Sequence, residues 1–102
     1  MALKVILNLR AKAGEAESLK AWFGANLADT KDQDGCISVE ALEHEEDPGK
    51  VVIIGTWETR GQWEAYIRWR EHRGDFAVLA PMLEGEPYFE CFQVLGEWKA
   101  AI

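Results

Sequence analysis

The chain has 102 residues, enough for one domain (1–102) with one core. Hydrophobic residues make up 48% and charged residues 28%, an ordinary balance for a globular protein. A net charge of −7 argues against nucleic acid as a partner, and with no apolar run long enough for a membrane span and no leader pattern, a cytoplasmic location away from membranes is expected.

Leu3, Val5, Leu7 and Leu9 alternate with Lys4, Ile6, Asn8 and Arg10, and this alternation predicts a strand. Gly14 breaks it. From Glu15 the spacing turns helical: Ala16, Leu19, Trp22, Phe23, Asn26 and Leu27 fall on or near one face. Glu15 and Glu17 suit the first turn, where the helix dipole favours acids. The helical pattern fades through Asp29–Asp32, and Gly35 ends the region. A second strand is expected from Cys36 to about Glu45, with a turn at Asp47-Pro48-Gly49. The third strand, Lys50 to about Trp57, holds the apolar run Val51–Ile54.

Thr59 opens a second helix. With Gln62 three residues on, it forms a capping-box pattern, in which each side chain reaches an unpaired backbone donor. Trp63, Tyr66, Ile67 and Arg70 share a face of this helix, which runs to Arg73. Asp75 is placed to cap a short third helix, Phe76 to Leu83, made irregular by Pro81. Gly85-Glu86-Pro87 reads as a loop, and a last strand runs from about Tyr88 to Trp98.

The sum is an α+β fold, βαββαβ with a small extra helix. The compact solution is ferredoxin-like: a four-stranded antiparallel sheet with helices on one face. The bare face is not polar, however. The third strand is apolar on both sides, and the last carries Tyr88, Phe92 and Val94 on one side, Phe89, Cys91 and Leu95 on the other. Either bare face leaves a large apolar patch, so two copies are expected to pack sheet to sheet as a homodimer. Asn8, polar in an apolar strand, is expected to hydrogen-bond across that interface, with ligand contact as the second reading. Cys36 and Cys91 lie outside any Cys-x-x-Cys spacing and read as small buried thiols. Five tryptophans, Trp22, Trp57, Trp63, Trp69 and Trp98, exceed what a core this size requires. Surplus ring area serves an interface or a pocket for a flat ligand.

The segments VILNLRAKAG, GCISVEAL, DPGKVVIIGTWET and QWEAYIRWR resemble the antibiotic biosynthesis monooxygenase family of dimeric α+β barrels, across nearly all of residues 3–96. The resemblance implies a pocket between sheet and helices in each subunit, and chemistry on small aromatic molecules. In many members a His lies nine positions after the strand-ending Trp. Here that position is Tyr66, and the family's frequent acid two before the Trp is Gly55. The haem-degrading branch has an Asn on the first strand and a His further along the helical region. Aligned on Gly14, those positions fall at Leu7 and near Phe76, which argues against haem; no cofactor is expected.

Tyr66 has a phenol able to donate to or accept from a ligand oxygen. Arg70, one turn on, offers a guanidinium that can stabilise a phenolate or oxyanion; the alternative is a solvated Arg paired with a surface acid. His72 has a suitable ordinary range for a base but sits in a charged run at a helix end. These three are the candidate catalytic residues. Trp22, Trp63, Phe76 and Leu7 are the expected substrate-binding wall, while Trp69 is offset toward an interface or surface role. The leading expectation is a cofactor-independent monooxygenase of a phenol- or quinol-like substrate. A non-oxidative isomerase of the same fold and a non-catalytic ligand-binding or structural dimer are the alternatives.

Overall fold

The alternation along the first strand sorts its side chains between two faces of a sheet. The computed structural model, which describes residues 2–101, shows β1 (Leu3–Arg10), α1 (Ala16–Lys31), β2 (Cys36–Glu43), β3 (Lys50–Trp57), α2 (Arg60–Arg73), α3 (Asp75–Leu79), a 3₁₀ turn (Ala80–Met82) and β4 (Tyr88–Gln93). The four strands form one antiparallel sheet in the order β2-β3-β1-β4. Leu3, Val5 and Leu9 of β1 and Val51, Ile53 and Trp57 of β3 are buried against the helices. Two apolar clusters result, one around Leu19 and Phe23 of α1, the other around Trp57 and Trp63.

The opposite face is uncovered. Register places Ile6 beside Ile54 and Glu90, Asn8 beside Val52 and Tyr88, and Lys4 beside Phe92. Leu42, Tyr88 and Phe92 stand exposed there. Asn8 Nδ2 donates to Glu90 Oε1 at 2.9 Å, so its amide is satisfied within the subunit, across the strand pair.

Three boundaries differ from the sequence reading. β2 stops at Glu43 because His44 already turns: its N–H donates to Lys50 O, and its own carbonyl accepts from Asp47 N–H. β4 stops at Gln93 because its one neighbour, β1, begins opposite it at Leu3; a single further bond, Val94 N–H to Ala2 O, follows. α1 does not fade at Asp29 but continues to Lys31, with Thr30 buried.

The region after α2 turns on two residues. Gly74 takes φ +82 and ends α2, which a side chain would resist. Pro81 lacks an N–H, so α3 gives way to the 3₁₀ turn there. Asp75 is the first residue of α3 rather than its cap, and its carboxylate is used elsewhere. Thr59 Oγ1 accepts from Gln62 N–H at 3.2 Å as the capping pattern requires. The reciprocal half is absent: Gln62 accepts from the Thr59 hydroxyl and donates to Asp34. That amide lies over Gly35, where an added Cβ would meet it at 2.4 Å. No helix among the described residues is long and apolar enough to cross a membrane.

Cys36 and Cys91 lie on the two edge strands, three interstrand spacings or about 14 Å apart, twice the reach of a disulfide. Oxidised protein is therefore expected to show two alkylatable thiols per chain by mass spectrometry without reductant. An intrachain disulfide would contradict the strand order. Burial pushes the Cys36 thiol up from its ordinary value, so its alkylation at neutral pH is expected to be slow.

Candidate functional site

The helix-facing side of the sheet and the three helices border two adjoining hollows, an inner and an outer chamber. The inner chamber has about 60 Å³ of free space and is walled by aromatic rings, among them Trp22, Trp57, Trp63 and Phe76. That is room for a few water molecules or one polar edge of a ligand. The outer chamber has about 520 Å³, within the range of small-molecule pockets. Leu7, Ile67, Phe76, Leu79 and Phe89 line both.

Arg70 organises the inner chamber. Its side chain is 4% exposed and faces the Asp75 carboxylate, itself 9% exposed, at 2.9 Å. Five guanidinium N–H groups are available; four reach Asp75 Oδ2, Tyr66 Oη, Thr30 Oγ1 and the Asn26 carbonyl, each at 2.9 Å. The rings of Trp22, Tyr66 and Trp69 surround its Cζ at 5.6, 5.3 and 4.9 Å. Burial works against the charge, the bonds to Tyr66 and Asp75 work for it, and the balance lies above the ordinary guanidinium value. The site thus holds a fixed cation with its counter-ion built in. The reading of Arg70 as a solvated side chain with a surface acid does not hold.

Tyr66 and Thr30 share the other end of this network. Their hydroxyls are 2.7 Å apart, and each accepts a bond from Arg70. Two hydroxyls carry two hydrogens, and the bond between them uses one. The other hydrogen remains free for a further partner. When Thr30 donates to Tyr66, the free hydrogen is the phenol's own, at the cavity wall.

Trp57 closes the chamber from the sheet side. It is 2% exposed and its ring lies 5.0 Å from that of Tyr66, tilted by 32°. Its indole occupies the space that a side chain at position 55 would need: a Cβ on Gly55 would lie 2.8 Å from Nε1. Among the described residues Trp57 Nε1 has no hydrogen-bond partner, yet no fully buried polar side-chain atom is left unsatisfied. The N–H therefore retains access to the cavity it lines.

The structure brings together six of the seven residues singled out from sequence: Tyr66, Arg70, Trp22, Trp63, Phe76 and Leu7 all line the inner chamber. It does not bring His72. Two positions beyond Arg70, about 200° around the helix, His72 is exposed on the outer side of α2. Trp69 stacks between Arg70 and Arg73, half-buried and outside the cavity. Thr30, Asp75 and Trp57 were not singled out. Thr30 continues the row Leu19, Phe23, Leu27 by one more turn, a signal present in the spacing. Among the described residues no three His, Cys, Asp or Glu side chains converge as a metal-ligand set.

The family model described as antibiotic biosynthesis monooxygenase matches residues 2–74. No curated protein matches the chain. Among solved structures, a conserved protein from Methanosarcina mazei Go1 is similar with TM-score 0.83 and 18% identity, over 91% of this chain and 92% of that one. A protein of unknown function from Nitrosomonas europaea gives 0.83 and 19%, over 98% and 95%. A variant of SnoaB, a cofactor-independent oxygenase from Streptomyces nogalater, gives 0.79 and 12%, over 94% and 95%. At these identities the likeness is one of fold.

Removing the counter-ion from a buried pair leaves a charge without compensation. Asp75→Ala is expected to lower unfolding free energy by about 3 kcal/mol in urea titration. A loss below about 1 kcal/mol, the scale of an exposed pair, would show that Arg70 is hydrated there.

Proposed function

The chain belongs to the antibiotic biosynthesis monooxygenase family, and from that premise we propose that it is a cofactor-independent monooxygenase of a small phenol- or quinol-like aromatic. One observation carries this reading: an aromatic-walled chamber into which a single polar cluster, Tyr66 with Thr30 and Arg70, presents a free hydroxyl hydrogen. Such a chamber takes the oxygen-bearing edge of a flat apolar molecule and meets that oxygen at one point.

In this mechanism the substrate supplies the electrons. Loss of a proton from an activated ring carbon leaves a carbanion-like anion, which reacts with dioxygen. One oxygen atom ends as a new ring carbonyl and the other leaves as water, so a CH₂ and O₂ become C=O and H₂O. Tyr66 orients the substrate oxygen and handles the proton. Arg70, its charge balanced by Asp75, holds the Tyr66 oxygen in place through its Nε–H and so keeps the phenol's donor aimed at the developing anion. Trp22, Trp63, Phe76 and Leu7 form the wall, and the Trp57 N–H is a second donor. His72, exposed on the far side of α2, has no part in it.

A second copy of the chain belongs to the same reading. The uncovered sheet face carries Ile6, Leu42, Val52, Ile54, Tyr88 and Phe92 together, an apolar area that a matching face would bury. The Asn8–Glu90 pair and Lys4 add polar groups to it.

Oxygen uptake by metal-stripped protein is expected with hydroquinones, naphthols or anthrones, and Tyr66→Phe is expected to lower its kcat by about 100-fold while leaving the circular dichroism unchanged. Saturable binding of these compounds without uptake would favour an isomerase or a binding protein. Light scattering is expected to give twice the 11.5 kDa chain mass, and Ile54→Glu with Phe92→Glu to give monomers; a wild-type monomer would remove the paired-sheet reading.

A further inference from the structure

The outer chamber differs from the inner one in its charge. Among the described residues, Glu71 from α2 and Glu86 from the loop before β4 are the only charged side chains that line it. Neither takes part in an ion pair among the described residues. The rest of the wall is apolar side chain or loop backbone, including Leu9, Leu83 and Pro87. The cation of the inner chamber is already neutralised by Asp75. Arg10 and Lys50 lie around a neighbouring hollow at the end of the sheet that shares Leu9 and Glu86 with the outer chamber, and Arg10 is paired with Asp47.

Resting on the reading of the cavity as a substrate pocket, we propose that the outer chamber selects by charge: it takes aromatic molecules that are neutral or cationic at their outer end and rejects carboxylated ones, with Glu71 and Glu86 as specificity-determining residues. The sizes of the two chambers set the geometry. On this proposal the oxygen-bearing edge of a ligand reaches the inner chamber between the shared side chains, and the body of the molecule, with any substituent opposite that oxygen, lies in the outer chamber. A carboxylate there meets two like charges on the exposed rim, and the side chains that line this chamber offer no counter-charge. Much of this wall, from Phe76 through Glu86 and Pro87, lies after residue 74, where the match to the family model ends. It also includes a surface loop, the part of a fold that most readily varies with the ligand.

The test is equilibrium dialysis of the full chain at low salt and neutral pH with three probes: a naphthol, its ring-carboxylated analogue and its aminomethyl analogue. Wild type is compared with the Glu71→Gln, Glu86→Gln double variant. Two carboxylates several ångströms away in a water-like dielectric are expected to change affinity about fivefold at low salt, fading as salt is raised. The double variant should therefore bind the carboxylated probe about fivefold more tightly and the aminomethyl probe about fivefold more weakly, with the naphthol within about twofold. Unchanged affinity for the carboxylated probe, or a parallel change in all three, overturns the proposal. Failure of the naphthol to bind either protein removes the pocket reading itself, and the charge selection with it.

Discussion

A guanidinium cannot be taken out of water unless its donors find acceptors, and the helical layer of this protein is arranged around that requirement. Arg70 projects from α2 and is met by Thr30 and the Asn26 carbonyl of α1 and by Asp75 of α3. One side chain thus ties three helices, beside the Thr30–Tyr66 hydrogen bond and the pairing of Arg73 with Asp29 and Asp75. A well-packed apolar cluster at the same place would serve stability equally well. What it would not do is hold a phenol oxygen at a set point on a cavity wall. The polar network is therefore best understood through Tyr66, whose oxygen is fixed by two of its members.

Around that fixed point the sheet contributes shape. Gly55 is the one position of β3 facing the helices that lacks a side chain, and the indole of Trp57 takes up the vacated volume. The resemblance associates an acid with position 55 and a His with position 66. Here both are replaced, and the paired outcome is a site with a phenol, an indole N–H and a neutralised cation in place of an acid and an imidazole. The family's frame is kept, while the groups available for proton transfer differ.

Much of the fold was legible because period and punctuation agree. The alternation of Leu3–Leu9, the Pro48-Gly49 turn and the Thr59 cap each mark a boundary that the structure keeps. The strand ends at Glu45 and Trp98 read too long. Pairing ends a strand, and nothing local tells β4 that β1 begins at Leu3. The aromatic wall was legible from helical spacing, since Trp63, Tyr66 and Arg70 recur along one face. Asp75 was not, because an acid after a glycine at a helix start reads as a cap. Its partner lies five residues back, and only the turn at Gly74 brings them together. His72 shows the converse: suitable chemistry in the right helix, but on the wrong side of it.

The strand order also dictates when the sheet can be completed. β2 and β3 are joined by a short turn and can pair as soon as both exist. β1, the first strand made, lies between β3 and β4, and its outer neighbour is the last: Leu3 faces Gln93. Until β4 arrives, the edge of β1 carries unpaired backbone donors and acceptors beside apolar side chains, the condition in which strands join the wrong partner. During synthesis that edge stays open until Tyr88–Gln93 has been made. Pairing across so long a separation also adds loop-closure entropy that must be met before the β1–β4 contacts form.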